Sequence, residues 1–586
     1  MLEPDGRALL LDALRPPDGY ILDSAVATTF TVHLESALSV ALAFIPRRLA
    51  DSADPIALME AVRSAADRLD VFHQAGMAAA PQSHSSIVAF LEPVLHAVRR
   101  PKAGHLFHPK LWALRFVADE GEGVRMRLVV PSRNLTSDRS WDLLLQLDGE
   151  LTDSADPVNE PVARLLEALP GLSVGEVSQV RRARIGRVAD DVRRTRWELP
   201  QDMTDISFDV LGFGAVLEDD FFVGTRDVVV ISPFLTPAGL ATVTAGRPAT
   251  VISRQATLDA LPADTLAGHD VYVLDPLTSE LVQAPDAGPP VATGLAGLHA
   301  KCYVLSYDRR TWIRVGSANA TEAAFGGNAE IIVTLVGPSS KLGAAEMFGD
   351  DGPLRSILTT YTPQTPEDDD AELTRLDNVL VDLASGLFTV TVLGGDDAYR
   401  ARFTGPALAP GEAGIEVSAR MITLPGSDQP LRAGEPVDLT FGPMAIDEIS
   451  AFVVLTATGP DGARARCLVL ADLVDAPGGR LDAVIAGQVD TPEKFLRFLA
   501  LLLGAGDSTF LMGAADAGDA SRAVGVRFEA PGLFELLMRA LVDHPDRLED
   551  LARLVPKVAG AGVLPPGFAE IWAVVDAARA EGSGKQ

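Results

Sequence analysis

Two stretches of the chain bring a histidine, a lysine and an asparagine amide toward one another, a set suited to an anionic phosphate group. In His299-Ala300-Lys301 the two basic side chains are two residues apart. Strand side chains alternate with a period of two, so the imidazole and the ammonium share a face. Asp308, Arg309 and Arg310 supply a polar turn, and the returning strand carries Ser317 and Asn319 back beside the start of the hairpin. Further on, Asn328 and Glu330 stand where the chain can return to orient the histidine. The same unit occurs earlier as His108-Pro109-Lys110, a strand, a turn over 118–123, and a second strand running into Ser132-Arg133-Asn134. Asp142 then follows as Glu330 does. The chain holds nine histidines and only seven lysines, yet His-x-Lys occurs twice, each time ahead of a hairpin pattern. Two copies of one unit imply two lobes about an approximate twofold axis, with one site that takes a histidine from each.

The elements that must position these residues are legible around them. Residues 19–44 read as a strand entering a helix. The segments 53–69 and 87–100 show helical spacing, and 70–76 reads as a strand, giving the strand and helix alternation of an α/β lobe. The β-branched run Asp227-Val228-Val229-Val230-Ile231 reads as a strand buried on both faces. It ends in Ser232-Pro233-Phe234, the kind of strand end where α/β sheets bind ligands. Phe234 there either packs or stacks on a base, and packing is the expectation. A Pro/Gly-rich loop over 284–290 leads to the second motif, and 342–361 reads as a closing helical segment. An acidic, proline-containing linker near 363–372 marks a domain boundary. Short strands separated by Gly, Pro and Asp turns follow it, and amphipathic helices follow those. The expected organisation is α/β, with two lobes over 1–200 and 201–362, a β-sandwich-like domain over 375–480 and a helical domain over 490–580. Such a helical tail binds a partner, a second copy or its own chain.

At these residues the chain resembles the phospholipase D superfamily, whose signature H-x-K-x4-D-x6-G-S-x-N occurs in duplicate. The second copy keeps His299-Ala-Lys301 and Gly316-Ser317-Ala-Asn319 but has Ser306 at the aspartate position. The first has Arg115 there, and Pro131-Ser132-Arg133-Asn134. Loss of the aspartate with His, Lys and Asn retained is similar to the tyrosyl-DNA phosphodiesterase branch and to some bacterial nucleases. The resemblance covers roughly residues 20 to 340. It implies that His108 is the nucleophile and His299 the general acid, an order the residues alone leave open.

Phosphodiester transfer needs a nucleophile, charge stabilisation on the phosphoryl oxygens and a proton for the leaving oxygen. A neutral histidine can form a phosphohistidine while a second, protonated one serves the leaving group. Lys110, Lys301, Asn134 and Asn319, with backbone N–H groups near Ser132 and Ser317, can hold the phosphoryl oxygens without a metal ion, and no cofactor is expected. A carboxylate on each imidazole would fix its tautomer. The expectation is that each serves its own lobe, Asp142 accepting from His108 and Glu330 from His299.

Composition bounds the function. The 586 residues are 47% apolar, enough for several cores. The two cysteines show no disulfide framework or metal-ligand spacing, and the acidic start lacks the basic region of a signal peptide, so a cytoplasmic setting without membrane attachment is expected. The net charge of −30 disfavours backbone-phosphate binding except in a local basic cleft. Two clusters are candidates for that cleft: Arg99, Arg100 and Lys102, and the seven arginines from Arg181 to Arg196. Their alternative role is salt-bridging to the many acids. Three functions compete. The first is a metal-independent nuclease with DNA as substrate, which by resemblance works in bacterial defence beside a helicase or ATPase. The second is a lipid phosphodiesterase. The third is a catalytically weak nucleic-acid-binding subunit.

Overall fold

The computed structural model describes residues 10–45, 55–81, 85–137, 140–213, 217, 221–223, 226–275, 297–349, 351–365, 371–394, 398–407, 414–503, 531–543, 545–559 and 562–583. The 284–290 loop and the centre of the acidic linker therefore lie outside the described residues.

The described residues form a mixed α/β structure with four sheets. The first contains β1 (Tyr20–Thr29), β2 (Leu69–Gln74), β3 (Leu95–Val98), β4 (Leu111–Ala118), β5 (Val124–Pro131), β6 (Leu144–Leu151) and β7 (Thr195–Trp197), in the order β3-β2-β1-β4-β5-β6-β7. The second contains β8 (Asp205–Leu211), β9 (Asp227–Ile231), β10 (Thr250–Ile252), β11 (Asp270–Leu274), β12 (Cys302–Tyr307), β13 (Arg310–Gly316), β14 (Glu330–Pro338) and β15 (Leu358–Thr360), in the order β8-β14-β13-β12-β9-β10-β11-β15. Six strands match one for one. In each sheet three parallel strands adjoin an antiparallel hairpin, β4–β5 or β12–β13, and one further antiparallel strand, β6 or β14. The β-branched run of β9 has both neighbours, and four of its five residues are buried.

Local chemistry shapes the second hairpin. Asp308 sits at its tip with φ +43°, a left-handed conformation that Asp tolerates because its short polar side chain can hydrogen-bond locally. It therefore belongs to the turn between β12 and β13. At Gly316 a Cβ would lie 2.1 Å from the Ile331 carbonyl oxygen, so only glycine lets β13 approach β14 this closely.

The two sheets share one apolar core, in which Phe107, Leu111 and Val130 meet Ile231, Cys302, Val315 and Ile331. The backbone is stitched twice across this seam with the same pattern. His108 N–H donates to the Ala329 carbonyl (2.9 Å) and Ala329 N–H to Leu106 (2.8 Å), while His299 N–H donates to Trp141 (2.8 Å) and Trp141 N–H to Gly297 (2.9 Å). Each motif histidine is thus fixed by the segment that precedes the other half's carboxylate.

Away from this seam, another core packs side chains of the first sheet such as Leu22 and Leu114 with Ile56 and Met59 of the helix Pro55–Ala65. It also takes in the C-terminal helices through Phe495, Phe498, Leu551 and Trp572. The helical tail accordingly covers its own chain. Arg480 joins the two regions through Glu92 (2.5 Å), as Arg63 does through Asp550. The strands expected over 375–480 form, but they divide between two sheets, and one is not self-contained. Its six strands run Val32–His33, Ala78–Ala79, Arg464–Leu470, Phe452–Thr458, Glu416–Met421 and Gln429–Pro430, so the first α/β region completes it. Two local readings change. Residues expected as one helix over 87–100 form a 3-10 turn, Ser86–Leu91, and then strand β3. The closing helical segment ends in the edge strand β15. In both places a sheet neighbour supplies backbone partners that outweigh the local apolar spacing.

Candidate active site

The seam gathers His108, Lys110, His299, Lys301, Ser132, Ser317 and Glu330. His108 Nδ1 lies 2.9 Å from Glu330 Oε2, and Lys110 Nζ lies 2.8 Å from His108 Nε2. Glu330 is fully buried, accepts from Ser317 Oγ (2.5 Å), and accepts from Asn328 Nδ2 (3.3 Å). In the other half, Lys301 Nζ lies 3.1 Å from His299 Nδ1 and donates to the carbonyl oxygens of Ser132 (3.1 Å) and His299 (2.8 Å). Lys301 of one half therefore rests on Ser132 of the other, and a single site draws on both.

The carboxylates do not serve their own halves. Glu330, from the second half, holds His108 of the first. Asp142 faces Arg133 at 3.7 Å, and the expected Asp142–His108 and Glu330–His299 pairs do not form. The twofold docking is the reason. Ala329, just before Glu330, runs beside Phe107, and Trp141, just before Asp142, runs beside Leu298. Each carboxylate is thereby delivered to the opposite histidine's neighbourhood. Glu330 reaches its imidazole, whereas the shorter Asp142 pairs with Arg133, the residue between Ser132 and Asn134. Its charge is still felt at Lys301.

Ser132 and Ser317 join strands. Both are buried, and each hydroxyl accepts the N–H that follows its carboxylate: Leu143 N–H to Ser132 Oγ (2.8 Å) and Ile331 N–H to Ser317 Oγ (3.0 Å). Each hydroxyl thereby ties the strand end that follows its motif to the strand that follows the carboxylate. Asn134 and Asn319 stand in matching places, and each has a buried amide oxygen with no hydrogen-bond partner among the described residues. Unpaired buried amide atoms cost free energy, so both amides are groups that a bound polar ligand would satisfy. Rotating either amide by half a turn would present its NH2 instead.

Burial and crowding of positive charge set the protonation states. Burial lowers His108 to about 4, outweighing Glu330, with Lys110 and Lys301 adding to the fall. Burial would raise Glu330, but His108, Lys110 and Ser317 hold it below the usual carboxylate range. The pair is thus a carboxylate with a neutral imidazole that donates through Nδ1 and leaves the Nε2 lone pair toward Lys110. Burial takes Lys110 down to about 7. Burial, Lys301, Lys110 and Arg254 take His299 to about 3, and burial with Lys110 pushes Lys301 well below its ordinary value. Positive groups crowd the site, and an anion placed among them would raise their pKa values.

Neither arginine-rich cluster lines this site. Arg181 and Arg184 clasp the buried Asp70, Arg193 holds Glu160, Glu167 and Asp190, Arg100 faces Asp382, and Arg99 donates to the Ser173 and Val174 carbonyls. The motif aspartate positions are likewise remote in role: Arg115 pairs with Asp23 and Asp191, and Ser306 bonds Thr311 and the Ala344 N–H. Sequence reasoning missed Arg254, whose charge acts on both His299 and Lys301. Its only signal was a position just past the end of a buried strand. Among the described residues no three His, Cys, Asp or Glu side chains form a metal-ligand cluster, and no helix is long and apolar enough to cross a membrane.

No family model matches this chain, and no curated protein does. Among solved structures it is similar to polyphosphate kinase from Porphyromonas gingivalis at 11% identity and TM-score 0.28, over 64% of this chain and 47% of that one. It is also similar to phosphatidylserine synthase from Haemophilus influenzae Rd KW20 at 12% identity and TM-score 0.33, over 64% of this chain and 88% of that one. The chain thus spans about half the length of the kinase.

Proposed function

We propose that the chain is a phosphodiesterase of the phospholipase D type that cleaves nucleic acid, DNA foremost, through a covalent intermediate on His108. The observation that carries this is the ordering of His108: Glu330 binds its Nδ1 side, so Nε2 is the nucleophilic atom, and burial keeps the ring neutral at pH 7. The duplicated motifs support the superfamily, and Ser306 and Arg115 at the aspartate positions support its nuclease branch.

In the first step Lys110 turns its N–H from His108 Nε2 to a phosphoryl oxygen, and Nε2 attacks phosphorus. The bond to the leaving oxygen breaks as His299 gives that oxygen a proton. His299 holds this proton only once the phosphate's charge offsets Lys301, Lys110 and Arg254, so protonation is coupled to substrate binding. In the second step a water gives a proton to His299 and attacks phosphorus, and the P–N bond to His108 breaks. Lys110, Lys301 and the amides of Asn134 and Asn319 stabilise the phosphoryl oxygens throughout.

The test is cleavage of single- and double-stranded DNA in EDTA, beside a phosphatidylcholine assay. DNA turnover is expected to persist on chelation. Loss in EDTA restored by Mg²⁺, or turnover of the lipid alone, would overturn the assignment.

A further inference from the structure

Beside the site stands an aromatic ring that the fold holds open. Phe234, just past β9, is 46% exposed, contrary to the expectation that it packs. Its loop is tied at several points: Ser232 Oγ donates to the Phe234 carbonyl (2.7 Å) and accepts from Ala320 N–H (3.0 Å), and Thr257 Oγ1 donates to the Pro233 carbonyl (2.8 Å). The ring's exposure is therefore fixed by the backbone and does not come from a loose loop. Arg254 places its guanidinium 4.9 Å from the ring centroid, and its Nε donates to the carbonyl of Leu298 (2.6 Å), the residue before His299. A cation-backed aromatic thus adjoins the histidine that serves the leaving group.

The first half carries no aromatic at the matching position. Thr29 takes the place of Ser232, accepting Leu135 N–H as Ser232 accepts Ala320 N–H. The aromatic that follows, Phe30, leans against His108 with ring centroids 5.2 Å apart. Phe30 aligns with Pro233, and the residue that matches Phe234 is Thr31, whose carbonyl accepts from the Thr29 hydroxyl (2.9 Å) as that of Phe234 accepts from Ser232, so the second half alone has an aromatic at this position.

Resting on the nucleic-acid reading above, we infer that Phe234, backed by Arg254, is a stacking subsite for an unpaired nucleobase next to the scissile phosphate, which makes single-stranded nucleic acid the substrate. Aromatic stacking accepts any base but needs an exposed π-face, which a base inside a duplex does not offer. The rigid loop lowers the ordering cost of such a contact. The neighbouring guanidinium adds positive charge where the backbone passes toward His299.

The experiment compares an unmodified single-stranded oligonucleotide, the same strand with one abasic residue beside the cleaved linkage, and the duplex. Wild type should favour the unmodified strand over both others. Phe234→Ala should weaken its binding by roughly 5- to 150-fold, with kcat little changed and thermal unfolding intact, and should erase the penalty for the abasic residue. Phe234→Trp should restore the preference. Equal loss on unmodified and abasic strands, or no loss at all, overturns the subsite while DNA cleavage by wild type keeps the nuclease reading alive. Weaker binding to phosphatidylcholine vesicles with DNA binding unchanged would make the ring an interfacial anchor instead and would also overturn it. If wild type cleaves no nucleic acid, the nuclease reading fails first and this inference falls with it.

Discussion

The two halves of the site are alike in backbone and different in side chains. Both motif histidines donate their N–H across the seam in the same way, and both serines hold the strand that follows the carboxylate. Yet His108 is paired to a carboxylate with no exposure, while the matching carboxylate, Asp142, pairs with Arg133 and is 28% exposed. A twofold fold presents two equivalent imidazoles; catalysis needs one nucleophile and one acid. The change from Glu to Asp, together with Arg133 where the other half has Ala318, breaks the equivalence. A firmly oriented, neutral imidazole suits attack, whereas one whose proton depends on the bound anion suits leaving-group protonation.

The sharpest way to break this comparison is to delete each histidine and vary the leaving group. His108→Ala should lower DNA cleavage by about 10⁴-fold or more, and no leaving group should rescue it. His299→Ala should cost about 10²- to 10⁴-fold on DNA but little of the first step on a p-nitrophenyl phosphodiester, whose leaving oxygen needs no proton. Acid quench of that variant should trap a phosphohistidine, since the second step lacks its base. Rescue of His108→Ala in place of His299→Ala would reverse the roles.

The carboxylates offer a smaller contrast. Glu330→Gln loses the negative charge beside His108, and kcat should fall by about 10- to 100-fold with KM nearly unchanged. Asp142→Asn, removed from His108, should cost only a few-fold. Equal losses in the two variants would mean that the asymmetry has no catalytic consequence, and kinetics on one DNA substrate decides it.

The smallest effect is a proton linkage. Lys110 titrates near 7 in the free protein, and a bound anion raises that value. Binding therefore takes up a proton at Lys110 once the pH exceeds about 7, beyond the one His299 takes up, and Kd for a cleavage-resistant phosphorothioate strand should weaken more steeply with pH above about 7 than below it. Lys110→Gln should remove the added steepness above pH 7. A slope that is the same on both sides of pH 7 in wild type would show that Lys110 does not gain its charge from the ligand.

Much of this was set by residues close together in the chain. The period of two in His299-x-Lys301, the polar turn at Asp308 and the repeat of the pattern at His108 determine two hairpins and a set of phosphate-binding side chains. Those patterns depend on neighbours within a few residues, whose geometry any strand imposes. Other features were decided only where distant segments meet. The amphipathic run over 87–100 became strand β3 because β2 offered it a ladder. The arginines from Arg181 to Arg194 went to Asp70, Glu160 and Asp191, acids that no local rule assigns to them. Glu330 lies 222 positions from His108, and the two meet because docking across the seam lays the residue before one beside the residue before the other. The chain itself specifies the groups and the hairpins that carry them; which carboxylate serves which imidazole depends on the packing of the two sheets, a contact between surfaces that no spacing along the sequence encodes.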